Sequence, residues 1–192
     1  WAPPMFANMM RQRSSNDNGS LSRSSWALYG EDTWALTKKL VFTYGLRYDH
    51  PEDYDDNLSP RGYLIYMPNR NFTVKGGVAT GYKAPTMLQS APVDIHLNIT
   101  GEIYRGNTGL KPEKSTTEEI GFYYHNEHDT DAHVTFFHTD FQNKIDLSDA
   151  VNVAGIGAVR TYENVGKARI HGVELGTDFA LAPKLRAGLN WT

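Results

Sequence analysis

The stretch LVFTYGLRYD, residues 40–49, decides the fold class. Leu40, Phe42, Tyr44, Leu46 and Tyr48 fall on one side of an extended chain, and Val41, Thr43, Gly45, Arg47 and Asp49 on the other. Successive side chains of a strand point to opposite faces, so an alternation this long describes a strand between two different solvents. The run from Phe72 repeats the layout: Phe72, Val74, Val78 and Tyr82 share a face with Gly76 and Thr80, opposite Thr73, Lys75, Gly77, Ala79 and Gly81. Weaker copies follow. Ile120, Phe122 and Tyr124 alternate with Glu119, Gly121 and Tyr123, and Ala132, Val134 and Phe136 with His133, Thr135 and Phe137. Val173, Leu175 and Phe179 oppose Gly172, Glu174, Gly176 and Asp178, while Leu185, Ala187, Leu189 and Trp191 oppose Arg186, Gly188 and Asn190. With residues 26–34 and 62–66 this gives about eight strands, near the roughly ten-residue repeat of an antiparallel transmembrane β-barrel.

The connections alternate in length. Those at 35–39, 68–71, 126–131 and 182–184 are short and rich in turn formers. Those at 50–59, 83–115 and 146–161 are longer. Short turns on one rim and long loops on the other are how barrels are built, with the long loops outside the cell. Polar residues 1–23 read as the tail of another outer loop, leaving 24–192 as barrel strands and loops. Eight strands could close a small barrel. Neither chain end reads as a native terminus, however, so the expectation is a partial barrel whose open edges are covered by further strands.

Composition agrees. The chain has 192 residues, 40% of them hydrophobic and 12% aromatic, and a mean hydropathy of -0.52. No run approaches the roughly 20 apolar residues of a spanning helix. A barrel tolerates low hydropathy because only alternate residues meet lipid. The net charge of -3 gives no support to nucleic-acid binding. The absence of cysteine excludes a disulfide framework, a zinc ribbon and a thiol nucleophile. No G-x-S-x-G occurs, and Tyr82 interrupts the Gly81…Lys83 approximation to a phosphate loop, so no enzyme is expected. A soluble β-sandwich also alternates polar and apolar residues. Tyr48 and Tyr82 near outer strand ends and Trp34 near an inner one favour the aromatic girdles of a membrane wall.

Five segments, in order, resemble the barrel of TonB-dependent siderophore receptors, closest to the ferric catecholate and colicin-receptor branch. They are WALYGEDTWALTKKLVFTYGLRYD (26–49), SPRGYLIY (59–66), VKGGVATGYKAPTM (74–87), GNTGLKPEKSTTEEIGFYY (106–124) and ENVGKARIHGVEL (163–175). Tyr82-Lys83 stands where that family usually has Phe-Arg, and Thr108-Gly109 where it has Pro-Asp or Pro-Asn. The resemblance implies a 22-stranded barrel in the bacterial outer membrane. It also implies a plug domain, absent from this sequence, through which the TonB complex would drive import of a ferric siderophore. No resident cofactor or metal is implied.

The loop at 83–115 holds the candidate ligand residues Lys83, His96, Tyr104, Arg105 and Lys111. Ferric catecholates are anionic and aromatic. Arg and Lys supply opposite charge, and Tyr supplies stacking surface. His96 leaves a haem receptor of the same family as an alternative, because imidazole is an axial ligand for haem iron. Arg47, Lys75, Glu119, Glu174 and Arg186 are expected to line the lumen or face the plug. The carboxylates of 49–56 lack EF-hand spacing. His133 and His138, an odd distance apart, should point to opposite faces. A passive porin-like channel and a soluble β-sandwich binding module are the readings from other classes.

Overall fold

The computed structural model describes residues 22–96, 101–128, 130–182 and 185–192. In chain order these form β1 (Ser25–Ala35), β2 (Leu40–Pro51), β3 (Asn57–Tyr66), β4 (Phe72–Lys83), the one-turn helix α1 (Met87–Ser90), β5 (Asp94–His96), β6 (Ile103–Arg105), β7 (Glu113–His125), β8 (Asp131–Leu147), β9 (Val151–Val153), β10 (Gly157–Ala182) and β11 (Leu185–Trp191). Most of the expected outer-loop tail at 1–23 lies outside the described residues. The chain divides into a sheet unit (Ser25–Lys83, Pro112–Lys144, Val165–Thr192) and a loop unit containing Ala84–Lys111 and Ile145–Asn164.

The sheet unit is an open ladder in the order β1-β2-β3-β4-β7-β8-β10-β11. Each strand lies beside its nearest long neighbour in sequence, so hairpin-like connections suffice. Register aligns the two faces across the whole ladder. Trp34 lies opposite Phe42, Phe42 opposite Leu64, Leu64 opposite Gly76, Gly76 opposite Ile120 and Ile120 opposite Phe136. One row nearer the short turns, Leu40, Tyr66, Val74, Phe122 and Val134 are aligned in the same way. The reverse face carries Thr43, Tyr63, Gly77, Glu119 and Phe137 in one such row.

This sheet has no dry interior. Prolines apart, the buried apolar side chains among the described residues are Ala91, Ile103, Leu110, Ile145 and Val159, all in the loop unit. In the sheet, Leu46 is 48% exposed, Leu64 43%, Ile120 44% and Phe122 44%. A water-soluble antiparallel sheet buries one face against a second layer. Here the apolar face has no such layer within its own unit, and lipid is the solvent that fits it.

The strands outrun the alternation that reveals them. β7 has 13 residues and β8 has 17, against about 9–11 for a tilted membrane strand. The apolar face ends where Val78 meets Glu118 and Glu118 meets His138; the next row is Thr80, Thr116 and Asp140. Beyond that row, β7 and β8 still pair but have water on both sides. Pairing also shortens the connection at 50–59 to residues 52–56. The segments expected as plain loops at 83–115 and 146–161 contain α1, β5, β6 and β9.

Phe122→Arg places a guanidinium within the apolar band. In the full-length receptor it should lower folding stability by about 2–4 kcal/mol. Thr117→Arg on the reverse face should change it by less than about 1 kcal/mol. Urea titration of receptor folded into phospholipid vesicles measures both, and equal losses would refute the two-solvent assignment.

Candidate ligand-binding loops and polar inner face

The loop unit begins where Pro85, which has no N–H to offer a ladder, ends β4. The Arg23 guanidinium donates to the Pro85 carbonyl at 2.8 Å and to Ser90 Oγ at 2.9 Å. Thr86 caps α1, with its hydroxyl accepting from the Gln89 amide while the Gln89 side chain accepts from the Thr86 amide. β5 pairs antiparallel with β6, β6 pairs parallel with the start of β10, and β9 closes against β10. Asparagines brace the ends of this small sheet. Asn107 Nδ2 donates to the Tyr162 carbonyl at 3.0 Å, and Asn107 Oδ1 accepts from the Gly109 amide at 2.8 Å. Asn164 grips the Lys111 main chain from both sides, accepting its N–H at 2.8 Å and donating to its carbonyl at 2.9 Å. The loops are thus a small folded body with a core of their own.

Among the predicted ligand residues, His96, Tyr104 and Arg105 are brought onto one hairpin. Arg105 grips Asp94 with two parallel hydrogen bonds, Nε and Nη2 each at 2.8 Å. The hydrogen bond from Arg105 holds the Asp94 carboxyl below its ordinary range, against a smaller opposing effect of desolvation, and Asp94 in turn raises the Arg105 guanidinium. His96 is exposed at the end of β5. Tyr104 projects from the side of β6 opposite to Arg105, and its ring meets Tyr162 edge-on, centroids 6.3 Å apart at 87°. Lys111 belongs to the same unit, held through its main chain. Lys83 is the last residue of β4 in the sheet unit, with Nζ 2.8 Å from Glu113 Oε2. Tyr162 and Arg160 escaped the sequence reading. The signal was present in the spacing Ala158, Arg160, Tyr162 leading into the ENVG box.

In the acidic stretch, the hydrogen bond from Tyr48 and then that from His50 hold the Asp56 carboxyl below its ordinary range. Among the described residues no group of His, Asp and Glu is arranged to hold a metal ion.

The predicted inner-face residues do share the face opposite the apolar one. Arg47, Lys75 and Glu119 follow from the register. Arg186 is ladder partner to Ala180, and Glu174 sits two residues from Gly176, whose open side meets His133. Arg47 Nη2 lies 2.7 Å from Asp49, Arg61 pairs with Glu31, and Lys75 Nζ stands 4.6 Å from the centre of the Tyr123 ring. Tyr123 stacks in turn on His133, centroids 5.7 Å apart. Several rings on this face lie in the space a neighbouring glycine leaves open. Tyr63 covers Gly77, His133 covers Gly176, and Phe137 covers Gly172, where an added Cβ would stand 2.8 Å from the ring.

Residues 3–192 match the family described as TonB dependent receptor-like, beta-barrel. The iron-regulated outer membrane virulence protein of Vibrio cholerae is 33% identical over 90% of this chain and 27% of its own length. The ferric enterobactin receptor of Pseudomonas aeruginosa is 35% identical over 92% of this chain and 25% of its own length. Among solved structures, the siderophore receptor PirA of Pseudomonas aeruginosa superposes with a TM-score of 0.74 at 29% identity, covering 86% of this chain and 34% of that one. The ferric enterobactin receptor PfeA gives 0.75 at 31% identity, covering 91% and 27%. The chain therefore spans about a quarter of the length of the curated relatives it matches. It belongs to the TonB-dependent receptor β-barrel family and forms a partial barrel of the bacterial outer membrane.

Proposed function

We propose that the receptor containing this chain binds a ferric siderophore of the catecholate class at its outer loops and imports it by TonB-coupled active transport. The observation that carries this reading is the match to a ferric enterobactin receptor over 92% of the chain, a span that takes in the loop unit as well as the strands. A structure of the related receptor PfeA holds enterobactin. Lys83, His96, Tyr104, Arg105 and Lys111 are the proposed ligand side chains, Arg47, Lys75, Glu119, Glu174 and Arg186 the proposed lumen or plug contacts. The chemistry fits an anionic aromatic ligand: guanidinium and ammonium groups answer its charge, and phenol rings answer its rings. A plug and the TonB complex are the proposed partners, and no catalytic step is assigned.

Cells that rely on the full-length receptor should take up radioactive iron as ferric enterobactin, and deleting TonB should abolish uptake while leaving surface binding intact. Uptake that persists without TonB would point instead to a passive channel. Arg105→Ala should weaken ferric enterobactin binding by about tenfold, since the charge is lost and Asp94 is left uncompensated. An unchanged dissociation constant would remove Arg105 from the ligand residues.

The Asp94–Arg105 pair also fixes a pH dependence. A carboxyl whose folded-state value is depressed stabilises the fold fully above its unfolded value, about 3.9. That stabilisation is lost as pH falls from there through the folded value. Amide protection of residues 103–105, read by hydrogen exchange, should hold steady down to about pH 5 and decline on further acidification. In Asp94→Asn this acid-dependent part of the decline should vanish.

A further inference from the structure

The small sheet formed by β5, β6, the start of β10 and β9 has two unlike faces. Ile103 and Val159 are ladder partners, and both side chains are buried. Moving one residue along either strand turns to the other side. There Tyr104 is the partner of Arg160, and Ile95 is the partner of Tyr104 on the next strand. Tyr162, two residues beyond Arg160, brings its ring edge-on to Tyr104. Both tyrosines are half-buried, and neither hydroxyl has a hydrogen-bond partner among the described residues.

Arg160 is fixed but not used up. Its Nε lies 3.2 Å from Glu102 Oε1 and its Nη1 donates to the Ser148 carbonyl at 3.3 Å. Nη2 donates no hydrogen bond among the described residues. Two perpendicular rings make a corner that shows the face of one and the edge of the other. A third aromatic ring can continue that herringbone. A guanidinium held by its other nitrogens offers donors in a set direction to an anionic oxygen beside the ring.

We propose that this face, Tyr104 and Tyr162 with Arg160, is the contact surface for a catecholate ring and its metal-bound oxygens. The inference rests on the siderophore reading above and sharpens it by naming the face. The ring stacks in the tyrosine corner, and Arg160 Nη2 donates to a catecholate oxygen. The Asp94–Arg105 pair lies on the opposite side of β6 and is not part of this face.

The test uses the full-length receptor in detergent with ferric enterobactin as the probe, and heat-modifiable electrophoretic mobility as the check on barrel folding. Tyr104→Ala and Tyr162→Ala should each raise the dissociation constant by about tenfold, and Tyr162→Phe should restore affinity because the ring is kept. Alanine variants that bind within twofold of wild type, in a wild type that binds tightly, overturn the face assignment and leave the siderophore function standing. A wild type that binds no ferric siderophore overturns the parent reading and this one with it. Should the alanine variants lose the loop fold, Arg160→Gln keeps a donor for Ser148. It should weaken binding about fivefold, and unchanged affinity there also overturns the proposal.

Discussion

The whole architecture depends on one constraint: an apolar sheet face that nothing in its own unit covers. Phe42, Leu64, Ile120 and Phe136 align strand by strand on that face, and the chain buries its apolar side chains elsewhere. In water such a surface would drive aggregation. In a bilayer it is the stable arrangement, provided that every main-chain group is paired along the ladder. The same constraint frees the other face from packing. Arg47, Lys75, Arg61 and Glu119 can all stand there, because no apolar layer packs on that face within the sheet unit.

This explains what could be read from the amino-acid order and what could not. Alternation reports a contrast between two solvents, so residues 40–49 and 72–82 declared their strands and faces plainly. It falls silent where both faces are wet. Residues 113–115 of β7, 146–147 of β8 and 157–161 of β10 pair through their main chains without any such contrast, which is why they read as loop. The short strands β5, β6 and β9, three residues each, are too brief to show a period at all.

The candidate site shows the same division. Its residue types were legible: Tyr104, Arg105 and His96 do come onto one hairpin. Which of them cooperate was not, because the sidedness of a three-residue strand depends on its neighbours. Arg105 turned out to be held by Asp94, and Tyr104 to face away from it towards Tyr162, 58 positions along the chain. Only folding could make that pair. The self-contained core of the loop unit, Ile103, Leu110 and Val159, holds these side chains in set positions, which limits the ordering entropy a ligand must overcome.

The rings that fill glycine notches on the inner face have a geometric consequence. A tyrosine or phenylalanine standing upright from the wall would protrude by most of its length into the bore. Laid across Gly77 or Gly172, the same ring becomes pavement, as does the His133 imidazole over Gly176. The wall keeps its aromatic bulk, gains contact along its own surface, and gives up almost none of its clearance. Over these glycines the polar face presents flattened rings interspersed with charge, so its aromatic bulk there lies along the wall.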